Sequence, residues 1–367
     1  MFDRRLIQNF DWILLILLIL IGAVSVLNLY SATYAIRDTG GSQIFLKQIY
    51  WFLIGFGVLL LMTTFDYHIL ERLAYPAYFF CIGLLVLVLI VGDVHSGSQR
   101  WLRFGGISFQ PSELAKISLV MLLAKYFSEH GEMTEYQLRD LWQPFLYIAI
   151  PCFLIIREPD LGTALTLVIV CFSILLFVKI RLKSLVILTI TSISAAPFIW
   201  YNLQEYQQRR ILTFLRPDMD TLGAGYHINQ SKIAIGSGLL WGKGYLKGTQ
   251  TRLHFLPEQH TDFAFSVLAE EWGFIGSAGL LFLYLLLIFW GINIARSSKD
   301  RFGSILALGI VAIVFWQLVV NVCMVTGLLP VVGIPLAIFS YGGSSIISIM
   351  AGMGLLMNIS MRRFMFQ

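Results

Sequence analysis

The chain has 367 residues, 57% of them apolar and only 13% charged, with a formal net charge of +5. Soluble domains run at roughly 45–50% apolar and about 25% charged, so an ordinary soluble domain is excluded. The positive balance is accounted for by membrane topology and a basic loop, as set out below, and carries no argument for nucleic acid.

A helix needs about 20 apolar residues to cross a bilayer. Apolar runs predict spans near 12–30, 45–65, 73–92, 112–128, 144–157, 160–178, 183–203, 264–295, 303–327 and 341–361, the fifth being short. The expected fold is therefore all-α, a polytopic membrane protein of about ten transmembrane helices forming one domain over 1–367. Arg4 and Arg5 precede the first run as in a signal peptide. That run is too long for a cleaved leader and many spans follow it, so it reads as a retained helix. The segment at 128–143 reads as a short connector. The segment at 202–262 is different: polar, glycine-rich and basic, it is the one long loop.

Lys and Arg in short loops set orientation. With the N-terminus inside, Arg4, Arg5, Arg72, Lys125, Arg139, Lys179, Arg181, Lys183, Arg296, Lys299, Arg301, Arg362 and Arg363 fall on the cytoplasmic side. The short outer loops and their edges hold only Arg37, Lys47, Arg100, Arg103, Lys116 and Arg157. Both termini are thus expected in the cytoplasm and the 202–262 loop outside. Cys81, Cys152, Cys171 and Cys323 lie singly in apolar runs without a CxxC pair, which points to neither disulfides nor zinc.

Polar residues gather at the loop side of several spans: Gln99-Arg100-Trp101, Gln110 to Glu113, Arg157 to Thr163, and Ser340 to Ser345. Such a surface suits a ligand with a polar head in water and an apolar tail in the bilayer. The run from Phe255 to Phe263 holds the candidate chemical centre, Asp262. Directly before an apolar helix, Asp262 reads either as a helix N-cap or as a general base taking a proton from a sugar hydroxyl. Glu113 and Lys116 lie three apart on one helix face and read either as a self-neutralising pair or as part of a site. Arg100, beside Trp101, is the leading candidate to grip a diphosphate, with Arg216 and Lys243 as further cations. Trp101 reads alternatively as an interface anchor. Other members of the basic set are expected to be solvated or to meet anionic lipid headgroups. Glu258, His260 and Ser340 are further candidate substrate contacts.

The glycine-rich stretch Gly236 to Gly244 has the wrong spacing for a phosphate loop and is read as tight turns in a membrane-skimming segment. His227, His254 and His260 lack metal-site spacing. A divalent cation, magnesium or manganese, arriving with a diphosphate substrate remains open. The sequence shows no evident inverted repeat, which disfavours a secondary transporter. A transporter and a non-catalytic scaffold are the alternatives to an enzyme.

Taken together and in order, these motifs resemble the SEDS family (shape, elongation, division and sporulation) over essentially the whole chain. The resemblance rests on Gln99-Arg100-Trp101, Gln110-Pro111-Ser112-Glu113, Pro159 to Thr163, Leu222 to Ile228, Gln230 to Gly238, Phe255 to Phe263, Glu270-Glu271 and Ser340 to Ser344. The stretch Leu329 to Pro335 and Gly248-Thr249-Gln250 are closer to its elongation members than to its division members. Leu239 stands where many relatives have glycine. The resemblance implies a peptidoglycan glycosyltransferase acting on lipid II, in the bacterial plasma membrane. It further implies a class B penicillin-binding protein as partner in the elongation complex. It maps the family's catalytic aspartate onto Asp262 and its sensitive glutamate and lysine onto Glu113 and Lys116.

Overall fold

The computed structural model describes residues 8–34, 41–95, 98–104, 107–130, 135–216, 223–253, 255–256 and 258–363. Arg4, Arg5, Arg37, Leu222, His254 and Pro257, named above, lie outside them.

Each of the ten expected spans corresponds to a helix. These are α1 (Trp12–Ala32), α2 (Gly41–Thr64), α3 (Tyr67–Val91), α4 (Pro111–Glu129), α5 (Trp142–Arg157), α6 (Leu161–Phe177) and α7 (Leu182–Asn202). After the long loop follow α11 (Ala264–Ser297), α12 (Arg301–Val325) and α13 (Gly343–Arg362). Among the described residues, seven helices are long and apolar enough to cross a bilayer by length and composition. α6 and the first part of α7 are shorter apolar helices. α4 is less apolar because Glu113, Lys116, Lys125 and Glu129 interrupt it.

The sequence reading missed a small sheet. Between α3 and α4, β1 (Asp93–His95), β2 (Ser98–Phe104) and β3 (Ile107–Phe109) form an antiparallel meander in the order β1-β2-β3. It places Arg100 and Trp101 on its middle strand. The long loop holds α8 (Glu205–Leu215), α9 (Ala224–Ser237) and the single turn α10 (Thr249–Arg252).

α12 and α13 form the centre of the bundle and are buried along most of their length. α13 packs along α2, and α12 contacts α4, α6 and α11. At one end of the bundle, buried Asp11 accepts hydrogen bonds from Leu14 N, Trp290 Nε1 and Ser360 Oγ, joining α1, α11 and α13. The opposite end carries the sheet and the long loop.

α11 is broken. Gly273 has φ 64 and ψ −158, which no helical residue adopts. In an unbroken helix, Phe274 N–H would bond the Glu270 carbonyl and Ile275 N–H that of Glu271. Instead, Phe274 N donates to Leu239 O (2.8 Å) and Ile275 N to Leu240 O (3.2 Å). The freed carbonyls of Glu270 and Glu271 accept from Lys243 N and Gly244 N, each at 3.0 Å. The glycine-rich segment is thus a splint inserted into the helical ladder, and every backbone group opened by the break is satisfied, as apolar surroundings require.

The two carboxylates beside the break clamp the splint. Buried Glu270 accepts from Lys243 Nζ (2.7 Å), Thr249 Oγ1, Gln250 N, Thr251 N and Thr251 Oγ1. Buried Glu271 accepts from Ser31 Oγ and from the backbone N–H groups of Leu246 and Gly248. Gly242, at φ 76, has no room for a side chain: a Cβ would lie 2.1 Å from the Glu271 carbonyl oxygen. Gly242→Ala is therefore expected to detach the splint and lower the melting temperature of the purified protein, whereas Gly236→Ala, where a Cβ meets open space, should leave it unchanged.

Candidate active site

The break makes the first part of α11 a separate half-helix, and Asp262 lies two residues before its first residue, Ala264. Four contacts hold that junction. Asn28 Nδ2 donates to Ala264 O (2.9 Å), Gln259 Nε2 to Ala32 O (2.8 Å), Tyr341 N to His260 O (2.9 Å) and Asn321 Nδ2 to Asp262 O (2.9 Å). The N-cap of α11 is Phe263, and no side chain caps it. The capping reading of Asp262 is therefore not realised. Among the described residues its carboxylate accepts no hydrogen bond, and the nearest constraint on one side is Gly333, where a Cβ would stand 3.4 Å from Oδ2.

The carboxyl is half-buried and its pKa is pushed up to about 6. Burial is the largest cause, followed by the negative charge of Glu258; Arg100 and Arg210 act in the opposite direction, and Asp160 adds a smaller upward push. A carboxylate with this pKa is ionised at neutral pH and basic enough to take a proton. Glu258 is exposed, has φ 49, and accepts from Thr261 Oγ1 at 3.1 Å. His260 is held below its ordinary pKa by burial, so it is neutral at pH 7, and its ring lies 6.0 Å from that of Tyr341.

Arg100 reaches this cluster from β2. Its Nη1 lies 3.5 Å from Asp160 Oδ2, and its side chain is partly exposed. Asp160 caps α6, accepting from Thr163 N (3.1 Å) and Thr163 Oγ1 (2.9 Å), and also accepts from Gln110 Nε2 (3.2 Å). The same loop carries Glu158, which is fully buried with neither oxygen hydrogen-bonded among the described residues. Burial first, then the charge of Asp160, pushes its pKa up to about 8, so it is mostly neutral at pH 7. Trp101 is half-buried on the adjoining β2 position, opposite Asp93 in register.

Other expected cations are placed elsewhere. Arg216 is exposed at the end of α8. Arg210, one and a half turns earlier and half-buried, is the α8 cation whose charge acts on Asp262. Lys243 is engaged with Glu270 and with Thr249 Oγ1, both at 2.7 Å, so it serves the splint. Ser340 is buried, and its Oγ accepts from Leu336 N at 3.0 Å, closing a turn. No local sequence signal singles out Glu158 or Asn321, and Arg210 is one of several basic residues in the long loop. Asp160 had a readable signal, since it precedes an apolar helix and is followed at three residues by Thr163.

Glu113 and Lys116 are both buried and pair at 2.7 Å. With Ser348 they line a small pocket otherwise walled by Ile117, Ile310, Ile313 and Val314 among others, and Asp262 does not line it. Glu113 Oε2 and Ser348 Oγ have no partner among the described residues. Among those residues, no group of three or more His, Cys, Asp or Glu side chains is arranged to hold a metal ion.

A family model described as cell cycle protein, FtsW/RodA/SpoVE, matches residues 8–364. The chain belongs to this family. The chain is 39% identical over 358 residues to the peptidoglycan glycosyltransferase MrdB of Escherichia coli (strain K12), covering 97% of this chain and 95% of that one. It is 34% identical over 363 residues to a probable peptidoglycan glycosyltransferase FtsW of Geobacter sp. (strain M18), covering 98% of each. Among solved structures, a chain of a peptidoglycan synthase complex, reported for its coordination of polymerization and crosslinking, matches with a TM-score of 0.83. The identity is 31%, covering 97% of this chain and 98% of that one. The rod shape determining protein RodA of Thermus thermophilus matches with a TM-score of 0.72 at 28% identity, with the same coverage. This FtsW/RodA/SpoVE member is thus a multi-pass membrane protein.

Breaking a buried ion pair leaves one charge uncompensated, at a cost of about 3–5 kcal/mol. Glu113→Ala should therefore lower the melting temperature more than the double change Glu113→Ala/Lys116→Ala, which removes both charges. Equal losses would show that Lys116 finds another partner.

Proposed function

We propose that this chain is a peptidoglycan glycosyltransferase that polymerises lipid II into β-1,4 glycan strands during cell elongation, with Asp262 as the general base. The observation that carries this reading is the Asp262 carboxyl: uncapped, raised to about 6, and set under the influence of Arg100 and Arg210. The names borne by full-length relatives in the FtsW/RodA/SpoVE family support the reaction class.

The donor sugar carries an α-linked diphosphate and the product is β-linked, so the reaction inverts. An inverting displacement needs one base on the acceptor and no enzyme nucleophile. The acceptor's 4-hydroxyl gives its proton to Asp262 as its oxygen bonds to the donor C1. The bond from C1 to the diphosphate oxygen breaks with inversion, and the polyprenyl diphosphate leaves with the electron pair. Arg100 and Arg210 stabilise the charge growing on that leaving group. Neutral Glu158 leaves Arg100 more positive toward substrate than an ionised neighbour would. A divalent cation arriving with the diphosphate would add positive charge there; the described residues supply no three-ligand site for it, and no step runs through it. Glu113 and Lys116 act from the adjoining pocket by holding α4 beside the site.

The excess of Lys and Arg at the opposite end of the bundle supports a plasma-membrane orientation with both termini in the cytoplasm and the Asp262 face outside. The likeness to a chain of a synthase complex supports a partner that crosslinks, which we assign as a class B penicillin-binding protein.

The test is polymerisation of lipid II by the purified chain with its partner's transpeptidase blocked. Asp262→Asn should lose about 10²–10⁴ in rate while remaining folded and partner-bound. Wild-type chains from the Asn variant would remove Asp262 from the chemistry; flipping without polymer, or neither activity, would favour a transporter or a scaffold. The wild-type rate should rise with pH and level off above about 6, because only the ionised carboxylate accepts the proton. Glu258→Gln removes a like charge and should move that limb to lower pH; Arg210→Gln removes an opposite charge and should move it higher.

A further inference from the structure

Asn321 lies one turn before the end of α12 and is completely buried. Its Nδ2 donates to the carbonyl of Asp262 at 2.9 Å and to that of Ile334 at 2.8 Å. An Asn side chain has two amide hydrogens, so both are committed. The two acceptors belong to the two chain segments that meet at the carboxylate. One is the 258–263 run bearing Asp262. The other is the 331–341 run bearing Gly333, which faces Asp262 Oδ2.

Folding alone gives a poor account of this amide. α12 is strongly apolar, and a polar group buried there is costly unless its bonds are made. Asn321 Oδ1 has no partner among the described residues. Asn358, at the opposite end of the bundle, is the contrasting case. Its Nδ2 also bridges two carbonyls, those of Met62 and Phe65, but its Oδ1 accepts from Arg362 Nε at 2.8 Å. Asn358 is a fully satisfied structural amide, whereas Asn321 keeps an unpaired oxygen and holds the backbone of the proposed base.

We propose that Asn321 is a positioning residue for glycosyl transfer: its amide ties the Asp262 backbone to the 331–334 segment and so fixes the carboxylate against Gly333. The inference rests on Asp262 being the base. Loss of the tie frees the 258–263 run on one side, while the Tyr341–His260 bond holds the other. A displacement of about 1 Å at a reacting group can cost about 10²-fold in rate. The loss falls on kcat, because Arg100 and Arg210 stand on other elements and still meet the substrate. A carboxylate released toward water also loses part of the burial that raises its pKa.

The experiment compares Asn321→Ala, Asn321→Ser and Asn358→Ala in the full-length protein, with lipid II as substrate and the transpeptidase partner blocked. Asn321→Ala is expected to lower kcat about 10²-fold with KM within about twofold, and to move the acid limb of the rate profile to lower pH. Asn321→Ser, whose hydroxyl can donate to only one carbonyl, should fall between. Asn358→Ala should lower the melting temperature yet leave the kcat of folded molecules and the acid limb in place. Wild-type kcat in Asn321→Ala, or a loss that only tracks its folded fraction with an unmoved limb, would overturn the positioning role. If Asn321→Ala does not fold, Asn321→Ser decides by the same two readouts. Asp262→Asn is assayed alongside. Activity in that variant removes the base assignment and the positioning role with it, whereas an inactive Asp262→Asn beside normal Asn321 variants removes the positioning role alone.

Discussion

Backbone groups cannot be left unpaired in an apolar bundle, and the organisation of the site follows from how that constraint is met at Gly273. A 34-residue helix is interrupted there, and the loop segment 239–244 takes up the four backbone groups that the interruption exposes. Glu270 and Glu271 then bind the loop through side-chain and backbone donors. The result is a half-helix whose start is tied to α1, α12 and the 331–341 run. Asp262 sits at that start, rigidly held through its backbone while its carboxylate stays unoccupied by any protein donor among the described residues.

Charge balance is the second constraint. Glu158, Asp160, Glu258 and Asp262 gather with Arg100 and Arg210. Four ionised carboxylates would repel a diphosphate. Burial removes one of them by keeping Glu158 mostly neutral, and Thr163, Gln110 and Arg100 absorb the charge of Asp160. What faces outward is the basic carboxylate of Asp262, the exposed Glu258 beside it, and two cations, Arg100 and Arg210; an inverting transfer from a diphosphate donor uses such a base and such cations. The same rule, that a buried charge must be met, explains why Lys243 and Lys116 are poor candidates to grip substrate: each already neutralises a buried glutamate.

The helices were legible because a bilayer imposes a long, uninterrupted apolar signal, and each of the ten runs became a helix. The meander that carries Arg100 was not, since its strands are only three to seven residues long and lack a clear alternation. The glycines of the long loop correctly pointed to tight turns, but nothing in the local pattern tells that the loop completes a broken helix 30 residues away. Asp262 stood out by its position before an apolar run, although that position by itself favours a helix N-cap, and it is Phe263 that takes the cap position. Asn321 was invisible: a single amide inside a hydrophobic helix shows neither its partners nor that one of them is the backbone of Asp262. Arg210 lies within α8 and Arg216 just past its last residue, and the surrounding sequence does not settle where that helix ends.

The central claim is that one desolvated carboxyl, Asp262, takes its proton affinity from where the fold holds it. The most direct measurement is a pH titration of the protonated-carboxyl infrared band of the purified protein, taken as the difference between wild type and Asp262→Asn. A difference band titrating near pH 6 is predicted. A band titrating in the ordinary aspartate range, at about 4, would show a solvated side chain and contradict the account.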